Sequence, residues 1–233
     1  MEPRLEHRWD LTPAEAFALQ RELAALVRPI GDPPPLPCLV AGCDAAGGGR
    51  GSRLGDEIVA GVVVLRIPGF EIVDCAHAAA QARFPYIPGL LGFREGPAYL
   101  EAFARLRARP DLLLCDGQGI AHPRGLGLAA HLGVLFDLPS AGVAKSRLIG
   151  EHRDPGAQRG CSARLVHQGR CVGRVVRTRT GVRPLFVSPG HRLTVEAAAR
   201  VVLSLATRFR LPEPTRLADR WVARLRRDPC SRP

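Results

Sequence analysis

Three carboxylates stand where a folded chain can bring them together. Asp44 closes the apolar run Cys38-Leu-Val-Ala-Gly-Cys43, and Asp116 closes Leu112-Leu-Leu-Cys115. Glu95 lies at the far end of Pro85-Tyr-Ile-Pro-Gly-Leu-Leu-Gly-Phe-Arg-Glu95. Two strand ends and a loop supplying acids, with no paired His or Cys ligands, suit a hard oxygen-seeking cation better than zinc. Such an ion polarises a phosphate, activates a water and stabilises a leaving oxygen, so phosphodiester hydrolysis is the natural reaction. A lone aspartate after a strand more often caps or turns the chain, and it is the joint placement with Glu95 that separates this set from that ordinary role.

Tyr86 is a second kind of tool. Pro85 and Pro88 fix φ on either side of Tyr86 and Ile87, while Gly89 and Gly92 let the chain turn, so a stiff loop presents an aromatic. The string Asp116-Gly-Gln-Gly-Ile-Ala-His-Pro-Arg124 has histidine where a dinucleotide fingerprint needs its third glycine. Ser188-Pro-Gly-His191 lacks the setting of a nucleophile elbow and reads as a turn.

The 33 Lys+Arg residues against 22 Asp+Glu give a formal charge of +11, which suits a polyanionic partner as well as a solvated basic surface. Lys145 is the only lysine, so a compact ammonium stands alone in a chain that otherwise uses guanidinium. The seven cysteines form no Cys-x-x-Cys pair and make an odd count for a disulfide framework. They read as small hydrophobes of a reducing compartment. With no apolar leader and no long apolar span, a cytoplasmic protein away from membranes is expected.

The elements that must position these residues follow from pattern. At 233 residues the chain reads as one domain over 1–233, with an N-terminal helix and Pro-rich linker over 1–37 and a frayed basic tail over 225–233. Thr12-Pro-Ala-Glu15 is a capping box opening a helix with Ala16, Leu19, Leu23 and Leu26 at helical spacing. The runs 38–43, 58–65 and 71–75 predict an antiparallel meander. Pro97 is expected to open a helix, followed by a strand over 112–115, a helix over 125–137, a short strand over 139–144 and a hairpin over 164–179. Thr194 caps another helix, and a last one from Pro214 carries Asp219. The sum is a mixed α/β sheet with helices packed on it, and sites in such sheets form at strand ends.

Four strings together resemble the endonuclease V family. They are Pro85 to Glu95, Asp116 to Arg124, Gly142-Val-Ala-Lys-Ser-Arg147 and Leu211-Pro-Glu-Pro-Thr-Arg216, within a resemblance running from about Cys38 to Trp221. The resemblance implies a ribonuclease H-like fold, in which the three-strand antiparallel meander is joined by parallel strands. It also implies deoxyinosine-directed DNA repair, with Asp44 and Asp116 binding Mg²⁺, or Mn²⁺ as a substitute. Glu95 and Asp219 would complete the acidic site, and Lys145 would approach the scissile phosphate. The loop of Pro85, Tyr86, Ile87 and Pro88 would enter the duplex, with Arg124 and the arginines from 164 to 183 on phosphates. Gly89, Leu91, Gly117 and Gly119 would form the base pocket, where bare backbone can approach a purine edge. Asp219 stands where some members carry histidine, and Ala45-Ala-Gly-Gly-Gly49 replaces bulkier residues.

The reading is therefore a Mg²⁺-dependent nuclease, expected to be monomeric, that cuts on the 3′ side of deoxyinosine. A deaminated purine mispairs, which lowers the cost of extruding it. The rivals are an inosine-specific ribonuclease of the same fold, acting on inosine-containing RNA, and a binder of inosine or damaged DNA that does not cut. A binder is expected to have a broken acidic set, whereas here all four carboxylates are present.

Overall fold

The computed structural model describes residues 1–49 and 51–233 and is built around one eight-stranded sheet. In chain order the strands are β1 (Cys38–Ala46), β2 (Glu57–Ile67), β3 (Glu71–Gln81), β4 (Leu112–Cys115), β5 (Ser140–Ala144), β6 (Ser162–His167), β7 (Arg170–Val176) and β8 (Leu185–Pro189). Five helices accompany them among the described residues: α1 (Pro13–Ala25), α2 (Leu91–Ala104), α3 (Leu128–Phe136), α4 (Val195–Leu205) and α5 (Glu213–Leu225). The spatial order is β3-β2-β1-β4-β5-β8-β7-β6, with β1–β4 and β4–β5 parallel and every other pairing antiparallel. This is the mixed α/β sheet that the patterns predict, in the ribonuclease H-like form that the resemblance implies.

Both faces of the central strands are apolar because helices cover both. Ala41, Cys43, Leu113 and Cys115 meet α2 and α3 through Tyr99, Phe103 and Phe136. Val40, Leu112, Leu114 and Val143 point the other way, toward Val202 on α4 and Trp221 on α5. Alternation of side chains across a pleated strand sends successive residues to these two cores. Gly42 is the point of closest approach, since a Cβ there would lie 2.0 Å from the Pro214 carbonyl carbon at the start of α5.

Local signals set most boundaries. The Thr12 side chain accepts from the Glu15 amide while Glu15 reaches back to the Thr12 amide, and Thr194 caps α4 from one side only, accepting from the Ala197 amide. Three expectations are corrected. Asp44 lies within β1 and not at its end, because the pairing with β2 runs on past it to Ala46. Helix α2 begins at Leu91, so Pro97 lies inside it and Glu95 sits on a helix instead of a loop. Proline removes one hydrogen bond, but burial of Phe93 before it and of Ala98, Tyr99, Ala102 and Phe103 after it holds the helix through the gap. The segment Ser188-Pro189 is likewise the end of strand β8, with Leu185 and Val187 buried, and the chain turns only at Gly190 and His191. Beyond α5 the Trp221 indole donates to the Ser231 carbonyl at 2.8 Å.

Candidate active site

The register of the two parallel strands brings the first pair of acids together. Cys43 on β1 pairs with Cys115 on β4, and the Asp116 amide donates to the Cys43 carbonyl at 3.1 Å. Asp44, within β1, and Asp116, just past the end of β4, therefore stand side by side on two central strands. Helix α5, packed across β1 and β2, adds Asp219. One carboxylate oxygen from each of Asp44, Asp116 and Asp219 lies within 4.8 Å of the others. Glu95 approaches the same cluster from α2 and is buried at 5% exposure.

Lys145 follows β5, the next strand over. Its Nζ lies 2.5 Å from Asp116 Oδ2 and 2.7 Å from Asp219 Oδ1. Burial alone would lower its pKa, but these two hydrogen-bonded carboxylates outweigh burial and raise it, so the ammonium stays charged at neutral pH. The backbone under it is fastened from two sides. Arg210 donates to the carbonyls of Lys145, Pro184 and Arg183 at 3.3, 2.9 and 2.8 Å, and Gln118 Nε2 donates to the Ser146 carbonyl at 3.1 Å.

Crowding of acids in a poorly solvated corner has the expected electrical result. Burial, with the charges of Asp44 and Asp116, pushes Glu95 up to about 8 despite neighbouring Arg94. Asp44 is pushed up to about 7 by burial and by Asp116 and Asp219, with Lys145 offsetting part of it. Asp116 is raised by burial, against the pull of Lys145. A cluster that holds its protons so tightly is short of positive charge. Its all-oxygen donor set fits a hard divalent cation, whose binding would release those protons.

Beside the acids lies a cavity of about 400 Å³ whose lining includes Tyr86, Pro88, Gly89, Leu91, Asp116, Gly117 and Lys145. Tyr86 is half-buried at its rim and Pro88 is exposed. Ile87 turns away into a small core with Ala16, Phe84, Leu90 and Phe93, and Pro85 does not line the cavity. Gly119 also stands behind the wall, its amide bonded to Ser188 Oγ at 2.8 Å. The Arg124 guanidinium points inward: it donates to Gln20 Oε1, lies 3.1 Å from the Gly89 carbonyl, and covers the Phe17 ring at 4.5 Å. His122, buried against Arg124, is pushed down to about 4 and stays neutral.

Sequence reasoning missed Gln20, Gln118 and Arg210. Gln20 alone carries a signal, an uncharged polar residue on the buried face of α1 between Ala16 and Leu23.

Carboxylates gathered from β1, the end of β4 and α5, beside a cavity and in a ribonuclease H-like sheet, are the set expected of a nuclease. The chain belongs to the endonuclease V family, whose model, described as Endonuclease V, matches residues 21–220. Endonuclease V of Roseiflexus sp. (strain RS-1) is 48% identical over 94% of this chain and 96% of its own. That of Alkalilimnicola ehrlichii is 49% identical over 94% and 95%. The crystal structure of Streptomyces avermitilis endonuclease V superposes with a TM-score of 0.87 at 42% identity, covering 99% of this chain and 100% of that one. Ciona intestinalis endonuclease V, solved with a 24mer DNA containing an inosine followed by a ribo-adenosine, gives 0.78 at 27% identity, covering 92% and 97%. Among the described residues no helix is long and apolar enough to cross a membrane.

Proposed function

We propose that this protein is a Mg²⁺-dependent endonuclease that binds deoxyinosine in DNA and hydrolyses a phosphodiester bond on its 3′ side. One observation carries the reading: Asp116 belongs at once to the acidic cluster and to the wall of the neighbouring cavity. A nucleotide whose base enters that cavity would have its phosphate at the carboxylates. The Ciona complex supports the same partner, since that relative was crystallised on inosine-containing DNA.

Asp44, Asp116 and Asp219 would hold the cation, with Glu95 close behind, and Mn²⁺ would substitute for Mg²⁺. When bound, the ion supplies polarisation of the phosphate and of an attacking water. Lys145 brings a permanent positive charge to the same cluster and donates to a phosphoryl oxygen, where a compact ammonium fits between two carboxylates. Gly89, Leu91 and Gly117 offer backbone groups and small surfaces to a purine edge. Tyr86, at the rim, fills the space the extruded base leaves, and stacking offsets part of the cost of extrusion. The free cysteines suit a reducing compartment, the cytoplasm.

The test is a labelled deoxyinosine duplex with Mg²⁺. Wild type nicks it once, 3′ to the lesion, while Asp44→Ala and Asp116→Ala bind and do not cut. Cleavage retained in Asp116→Ala would falsify the site. A matched inosine RNA run in parallel decides between deoxyribose and ribose, a choice kept open by the ribo-adenosine in the DNA of the Ciona complex.

A further inference from the structure

The wall of the cavity is held from behind by a helix to which no function has been assigned. Gln20 lies on α1, at the edge of the family match, and is buried at 2% exposure. Its Nε2 donates to the Gly89 carbonyl at 2.8 Å and to the Leu126 carbonyl at 3.0 Å, while its Oε1 accepts from Arg124 Nε. Arg124 Nη2 donates to the same Gly89 carbonyl at 3.1 Å, and its guanidinium is pinned over Phe17, also on α1. Two donors thus converge on one peptide oxygen, and each donor is itself anchored.

That peptide is a pivot. Gly89 has φ +83° and sits between Tyr86 at the rim and Leu91, where α2 begins. The amides of the first helical turn have no intrahelical partner and depend on the chain's entry angle for their direction. Rotating the Gly89–Leu90 peptide would swing Tyr86, Leu91 and the first amides of α2 together. With two hydrogen bonds on the Gly89 oxygen, the rotation costs both. A carbonyl held this firmly acts by keeping one conformation populated, and apparent affinity falls in proportion to the competent fraction.

We propose that Gln20 is a positioning residue for lesion recognition: by fixing the Gly89 carbonyl together with Arg124, it sets the loop that carries Tyr86 and the base-facing wall. This rests on the reading that the cavity receives the extruded base. It assigns Arg124 an inward role alongside any contact with phosphate, and it makes α1 part of the recognition apparatus. The acidic cluster is outside this clamp, so metal binding and the chemical step are separable from it.

The experiment has two arms on the full chain. Amide hydrogen exchange, without nucleic acid, is measured over residues 86–92 in wild type, Gln20→Ala, Arg124→Ala and the double variant. Removing a buried hydrogen-bond partner should accelerate exchange there by about ten- to a hundredfold. The two single effects should combine less than additively, because both donors serve one oxygen. Affinity for a deoxyinosine duplex in Ca²⁺ should fall by a similar factor, with KM raised more than kcat is lowered and with Mn²⁺ affinity unchanged. Gln20→Met, of similar length and unable to donate or accept here, should behave as Gln20→Ala and serves if the alanine variant does not fold. Unchanged exchange over 86–92, or parallel loss of metal affinity and lesion affinity, would overturn the proposal. Failure of wild type to prefer deoxyinosine would instead remove the reading under it, and the exchange arm would still decide whether Gln20 holds the loop.

Discussion

Gly48 and Glu95 touch: a Cβ built on Gly48 would lie 2.4 Å from Glu95 Oε1. The absence of a side chain at 48 is what lets the buried carboxylate stand beside Asp44. The chain at Gly48 is thus shaped around an acid of the site. Gly48→Ala should displace Glu95 and lower Mg²⁺-dependent nicking by about a hundredfold, the effect of an ångström-scale misplacement in a catalytic site. The thermal midpoint should change little. Wild-type turnover in that variant would show that the position of Glu95 does not matter to the reaction.

Protonation gives a stability signature. Glu95 and Asp44 are raised to about 8 and about 7 from ordinary values of 4.5 and 3.8. Between the ordinary and the raised values the folded chain binds more protons than the unfolded one, so metal-free stability falls as pH rises from about 4 to about 8. The loss should be on the order of a few kcal/mol and should shrink in Glu95→Gln. Denaturant midpoints with chelator and with excess Mg²⁺ test this. The slope should flatten when the cation takes the place of the protons, and an equal slope in all three cases would remove the electrostatic account.

Lys145→Arg keeps the charge and loses the shape. With Nζ held at 2.5 and 2.7 Å between Asp116 and Asp219, a planar guanidinium cannot occupy the same point. Single-turnover cleavage should slow by about a hundredfold. A rate within a few-fold of wild type would make the lone lysine incidental.

Tyr86→Ala separates duplex opening from base binding. Stacking of one aromatic contributes about 1–3 kcal/mol, so affinity for a deoxyinosine duplex in Ca²⁺ should fall by up to about two powers of ten. The loss should be smaller on the isolated strand, where no stack must be opened. Equal losses would place Tyr86 in the pocket or in support of the loop.

Asp116 was legible in the sequence because an apolar run that stops at a carboxylate marks the end of β4, whereas the same pattern misplaced Asp44, since small Ala45 and Ala46 carry β1 on beside β2; the caps at Thr12 and Thr194 placed two helices. The pairing of Cys43 with Cys115 was not legible, since strand neighbours far apart in sequence are chosen by the whole sheet. Pro97 misled because proline favours a helix's first turn, yet buried side chains on both sides carried α2 past it. Leu185 to Val187 was too short a run to read as the strand it forms. Gln118, Arg210 and Gln20 stayed hidden for one reason. Each donates to backbone carbonyls, which every residue has, so the partner leaves no trace in residue type, and only the buried position of Gln20 on α1 hints at a role.

The closeness of Gly42 to Pro214 has a consequence for how the chain is made. Strand β1 is central, but the helix that covers it through Ala218 and Trp221 comes after every other described element of the chain. At about 5–20 residues per second, β1 waits on the order of ten seconds or more for its cover, with an apolar face open to other nascent chains. The helix that ends this wait also brings Asp219. A polypeptide whose sheet is still unprotected is therefore one whose carboxylate set is still incomplete, and protection and nuclease competence arrive together.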